Sequence, residues 1–153
     1  MYKFGVIVSL LLLLTCSAIH ATTGKTKLKN LVVEYTQTPL GIDVEYPRFS
    51  WQMEAPEGER GYKQTAYQIT VLDESNKEVW NTGKVESSVS LNINYSGTPL
   101  KATTRYHWTL TVWNQNAKSS IAASWFETGL MSSDKGYQNW SGARWIGGGD
   151  EDR

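Results

Sequence analysis

The chain is short of the residues that hold metals or run thiol chemistry. Among 153 residues there is one cysteine, Cys16, and there are two histidines, His20 and His107. Cys16 and His20 both fall in or beside an apolar N-terminal stretch, so the remainder has no cysteine and a single histidine. That excludes disulfides, a thiol nucleophile and Cys/His zinc sites there, and no metal or cofactor is expected. It also removes most Ser-His-Asp arrangements, since His107 would have to serve alone. Neither sign of charge is in excess: Lys+Arg and Asp+Glu are each 15. A dedicated nucleic-acid binder would carry a basic excess or stripe, so no nucleic-acid partner is expected. Long hydrophobic runs are missing as well. The apolar run at residues 4–14 has 11 residues, against the ~20 a membrane-spanning helix needs.

What is present is aromatic and strand-like. Seven Trp and eight Tyr stand beside three Phe. Such amphipathic rings suit strand-rich domains and sugar-facing surfaces. Hydrophobic residues make up 40% and charged residues 20%, enough for one packed domain.

The N-terminus reads as an export signal. Lys3 supplies the positive start and residues 4–14 the apolar core. Cleavage after Ala21 or after Ala18 fits, which makes residues 1–21 the signal peptide. Lipidation of Cys16 is a competing reading, because Leu13-Leu14-Thr15-Cys16 approximates a bacterial lipoprotein signal. Either way the expected location is the bacterial periplasm or cell surface. Residues 22–30 then form a polar, basic lead-in.

From residue 31 to residue 130 the pattern is short strands and turns, with no amphipathic helix of useful length. Residues 31–35 (LVVEY) open the series. Phe49, Trp51 and Met53 alternate with polar neighbours, as do Tyr67, Ile69 and Val71. Residues 78–81 are a short strand, and Val89, Leu91 and Ile93 alternate in a fifth. Tyr106, Trp108, Leu110 and Val112 alternate with His107, Thr109, Thr111 and Trp113, and residues 122–128 close the series. Polar turns fall at residues 73–77 and 114–119. Seven strands with turns every 8–12 residues or so predict an all-β, antiparallel sandwich of fibronectin type III or immunoglobulin-like kind. Leu100, followed six positions later by Tyr106 at the head of an alternating strand, has the spacing of a tyrosine corner.

Longer stretches add a family resemblance. They run, in order, through residues 35–43 (YTQTPLGID), 47–51 (PRFSW), 60–69 (RGYKQTAYQI), 79–85 (VWNTGKV), 108–113, 125–130 (WFETGL) and 140–147 (WSGARWIG). This succession resembles the N-terminal portion of bacterial α-L-rhamnosidases of glycoside hydrolase family 78. The resemblance implies a fibronectin-like first module, with residues 131–153 as a linker and the truncated start of a jelly-roll-like second one. It also implies a catalytic (α/α) barrel that would lie further on in such an enzyme, cleaving terminal α-L-rhamnose with inversion. On that reading the partners are the remaining modules of the parent enzyme, and no catalytic residue is carried by this chain. The alternative is a free-standing fibronectin-type module that binds glycans or proteins.

The chain's own carboxylates give little sign of catalysis. Inverting hydrolysis needs two carboxyls about 6.5–9.5 Å apart across a cleft. Asp43 and Glu45 have a permissive spacing but sit in a turn-rich, solvated segment. Glu57 and Glu59 flank Gly58 in a loop where nothing would desolvate them. His107 and Trp113 are the candidate contacts for a glycan or for a neighbouring module, because both point to the outer side of their strand.

Overall fold

The computed structural model describes residues 26–131. The expected signal peptide, the Cys16 anchor and the start of a second module lie outside the described residues. Seven strands follow in order: β1 (Lys27–Val33), β2 (Arg48–Glu54), β3 (Gln64–Leu72), β4 (Glu78–Asn81), β5 (Ile93–Asn94), β6 (Arg105–Asn114) and β7 (Ser119–Glu127). They form two antiparallel sheets, β1-β2-β5 and β4-β3-β6-β7. The domain is an all-β, immunoglobulin-like sandwich, with β4 paired to β3. Among the described residues no helix is long and apolar enough to cross a membrane.

Period-2 alternation builds the interior. On β6, Tyr106, Trp108, Leu110 and Val112 are buried, while Arg105, His107 and Thr109 are exposed. On β3, Tyr67, Ile69 and Val71 turn the same way and pair with Val112, Leu110 and Trp108. From the facing sheet, Phe49 and Trp51 enter this layer with almost no exposure. The Phe49 ring lies 4.9 Å from Trp108 and 5.8 Å from Phe126, both edge to face. Each such side chain contributes roughly 1.5–3 kcal/mol by leaving water, and no disulfide is needed to supplement that burial.

Polar groups close the turns and tie the layers. Asp73 Oδ1 accepts from the amides of Ser75 and Lys77, and Asn114 Oδ1 from those of Asn116 and Lys118. These Asx-type bonds let Asn76 and Ala117 hold positive φ. Gln64 is buried at the start of β3. Its Oε1 accepts from the Trp51 indole N–H (2.9 Å), and its Nε2 donates to the carbonyls of Ser87 (3.0 Å) and Val89 (2.8 Å). One amide thus fastens both sheets to the segment that crosses between them.

β3 and β7 each begin three residues before the stretch that the sequence pattern gives them, β7 inside the predicted turn, and two other strands differ further. β1 begins at Lys27, inside the stretch read as lead-in. Its alternation is carried by Lys27 and Lys29 around Leu28, and a bulge between Lys29 and Val32 shifts the register before the apolar residues begin. β5 is only Ile93–Asn94, and Val89 (52% exposed) and Leu91 (62%) do not enter the core. Asn92 has φ 55, which breaks the alternation between Leu91 and Ile93. Upstream, the segment attaches through isolated bonds, such as Trp51 N–H to the Ser90 carbonyl (3.0 Å), and not through a ladder.

Candidate functional site

Three regions of the surface carry features beyond packing. The first is the outer face of the four-stranded sheet, where both predicted contact residues sit. His107 is exposed between Leu72 of β3 and Trp125 of β7. The Trp125 ring is covered by the Arg105 guanidinium at 4.3 Å, and that guanidinium also binds the Glu127 carboxylate at 3.0 and 3.2 Å. Trp113 is half-buried, with Lys84 Nζ 5.2 Å from its ring. His107 and Trp113 share one face but stand six residues apart on a straight strand, roughly 20 Å. The fold does not bring them together, so they cannot form one sugar subsite.

The second region is where the described chain ends. Residues 39–43 run alongside the end of β7. The Glu127 amide donates to the Pro39 carbonyl, the Ile42 amide to the Glu127 carbonyl and the Gly129 amide to the Ile42 carbonyl, all at 2.8–2.9 Å. Ile42 and Thr128 form a parallel bridge. Asp43 Oδ1 accepts from the Met131 amide at 2.8 Å. A side chain at Gly129 would meet that oxygen at 2.5 Å, so only glycine lets the strap close this tightly. Asp43, one half of the permissive carboxylate pair, is therefore tied to backbone. Leu40, Val44, Tyr46 and Leu130 stand exposed within four residues of the Ile42–Thr128 bridge.

Beside this strap lies the corner anticipated from Leu100 and Tyr106. The buried Tyr106 hydroxyl accepts from the Lys101 amide at 2.8 Å, the backbone contact that a tyrosine corner requires, and its ring stacks on Phe126 at 5.3 Å. Leu100, next to Lys101 in sequence, is buried as well. Burial pushes the Tyr106 hydroxyl above its ordinary pKa. A third buried tyrosine, besides Tyr67 and Tyr106, was not singled out by its pattern: Tyr95 donates to the Thr98 carbonyl at 2.6 Å and packs against Trp80 at 5.1 Å.

The third region is a cleft of about 250 Å³ lined by Asn30, Val32, Tyr35, Ser50, Trp51, Gln52, Leu91 and Asn92. It lies on the solvent side of β1-β2-β5, because Ser50 and Gln52 flank the inward-pointing Trp51. Asn30 Nδ2 donates to Gln52 Oε1 (2.7 Å), and Gln37 Nε2 donates to Asn30 Oδ1 (3.1 Å). Tyr35 is 65% exposed, yet the Arg48 guanidinium holds its ring at 4.8 Å. Arg48 in turn binds both oxygens of Glu34, at 3.1 and 2.7 Å. That bidentate bond holds the Glu34 carboxyl below its ordinary pKa. No sequence pattern signalled this cleft, since its residues come from three separate stretches. Among the described residues, no three His, Cys, Asp or Glu side chains converge where they could hold a metal.

Comparisons with known proteins bear on these regions. Residues 28–132 match the family model for the Rha78A-like, N-terminal immunoglobulin domain. The chain is 44% identical over 120 residues to an α-L-rhamnosidase of Streptomyces avermitilis, covering 74% of this chain and 11% of that protein. It is 41% identical over 116 residues to an α-L-rhamnosidase of Formosa agariphila, covering 71% of this chain and 12% of that protein. The crystal structure of the S. avermitilis α-L-rhamnosidase complexed with L-rhamnose superposes with a TM-score of 0.64 at 41% identity, over 70% of this chain and 11% of that one. An α-L-rhamnosidase structure from Dictyoglomus thermophilum gives the same TM-score at 35% identity, over 74% of this chain and 13% of that one. The chain thus spans only a small fraction of the length of the relatives it matches.

Proposed function

Because this chain belongs to the Rha78A-like N-terminal immunoglobulin-domain family, we propose that it is a non-catalytic accessory β-sandwich at the front of an exported α-L-rhamnosidase. The observation that carries this reading is the extent of the match. It covers most of this chain but about a tenth of relatives that are named for their activity. The geometry supports a mechanical role. The strap at residues 39–43 fixes the direction in which the chain leaves β7. The exposed Leu40, Val44 and Tyr46 lie within four residues of Ile42 and offer apolar surface to a module attached after Met131. Packing there would set the angle between this sandwich and the rest of the enzyme, so that the catalytic module is presented in a fixed orientation.

The test is direct. The purified chain, incubated with p-nitrophenyl α-L-rhamnopyranoside, releases no p-nitrophenol above the buffer blank. Turnover that persists through purification and is lost on unfolding the chain would overturn the accessory assignment.

A further inference from the structure

We propose that the cleft on the solvent side of β1-β2-β5 is a binding site for one neutral pyranoside. The proposal does not depend on the accessory role.

Three features point to that ligand. The first is an exposed but immobilised ring. Tyr35 leaves 65% of its surface in water, while the Arg48 guanidinium lies against the ring and Glu34 holds the guanidinium in a two-point bond. A ring fixed before binding loses little freedom when a sugar's C–H face stacks on it. The second is the polar inventory. The Gln37-to-Asn30-to-Gln52 relay uses one Nδ2 hydrogen of Asn30 and the Oε1 of Gln52. The other Nδ2 hydrogen of Asn30 and both Nε2 hydrogens of Gln52 have no protein acceptor among the described residues. Neutral amides in this arrangement suit hydroxyl groups, which both donate and accept. No charged side chain lines the cleft, and the adjacent Glu34–Arg48 pair satisfies itself, so the complementary ligand is uncharged. The third is a preset backbone. Glu34 (φ 47) and Tyr35 (φ 65) are the central pair of a tight turn closed by two backbone bonds between Val33 and Thr36, at 3.0 and 3.1 Å. That turn fixes the backbone that carries the Tyr35 ring beside the cleft.

Size limits the ligand to one ring. The volume of about 250 Å³ lies just under the roughly 300–1,000 Å³ usual for small-molecule sites. Val32 and Leu91 supply apolar walls for the sugar's carbon edge.

The experiment is an amide-detected NMR titration of the ¹⁵N-labelled chain with methyl α-L-rhamnopyranoside, methyl α-D-glucopyranoside and methyl β-D-galactopyranoside. At least one glycoside is expected to give saturable shifts at the side-chain amides of Asn30, Gln52 and Asn92, with millimolar affinity. Tyr35→Ala should weaken binding about tenfold and Tyr35→Phe should change it little, because the ring and not the hydroxyl carries the stacking. Tyr35 is exposed enough that neither variant disturbs the core. Four results would overturn the proposal: no saturable shift with any of the three, shifts confined to the His107–Trp113 face, equal weakening by both variants, or the same amides moving with protein concentration alone.

Discussion

Trp51 and Trp108 enter the core from opposite sheets and differ in one hydrogen bond. The Trp51 indole N–H donates to Gln64, while the Trp108 indole N–H is buried with no hydrogen-bond partner among the described residues. Replacing either ring with phenylalanine removes similar volume. Only Trp51→Phe leaves a buried amide oxygen without its donor. A stranded buried acceptor costs about 1–3 kcal/mol, so Trp51→Phe should be less stable than Trp108→Phe by roughly that amount in urea unfolding. Equal losses would mean that the Gln64 bond contributes nothing. Glu34 gives a second test at this scale. Its bond to Arg48 lowers the carboxyl below its ordinary value of 4.5. The unfolded chain therefore binds this proton more readily than the folded one. The stabilisation is complete above the ordinary value and is lost as pH falls through the lower folded one. Glu34→Gln should narrow the gap between the urea midpoints at neutral and at acid pH. A variant with an unchanged gap would remove the pair from the account of acid sensitivity.

At the scale of elements, the strap at residues 39–43 is held mostly by backbone bonds, and Asp43 adds the last one to Met131. Asp43→Ala should speed hydrogen exchange at the Met131 amide by about tenfold while leaving the β6 amides protected. Unchanged exchange would show that Asp43 does not hold the chain end. The strap also shows where the sequence stops being legible. β4 agrees with its pattern end to end, β6 in face and nearly in length, and β3 in face though it begins three residues before the alternation at Tyr67, because alternation alone chooses the buried side. Residues 39–43 have no such period. They are ordered by partners on β7, some 85 positions away, which no local window contains. β1 hides behind a bulge, and β5 is cut short where Asn92 turns left-handed. Tyr106 was legible because it heads an alternating strand and its corner bond reaches only five positions back, to Lys101. The cleft was not, because Asn30, Tyr35, Gln52 and Asn92 meet only after three segments pair.

For the whole molecule, the same non-local wiring sets the folding rate. β2 pairs with β5 across residues 48 and 94, and residue 42 bridges residue 128. Loops of that length must close before their contacts form. Refolding followed by tryptophan fluorescence should take roughly milliseconds to seconds; completion within microseconds would contradict this topology.

The two ends of the described chain leave from opposite poles. The Thr26 carbonyl accepts from Ser120 at the start of β7, whereas Met131 follows just beyond its end. A nine-residue strand separates them, roughly 30 Å. Thr26 and Met131, the first and last described residues, are therefore held at the two ends of one rigid, paired strand, so a label on each would report a nearly fixed distance for as long as the sandwich stays folded.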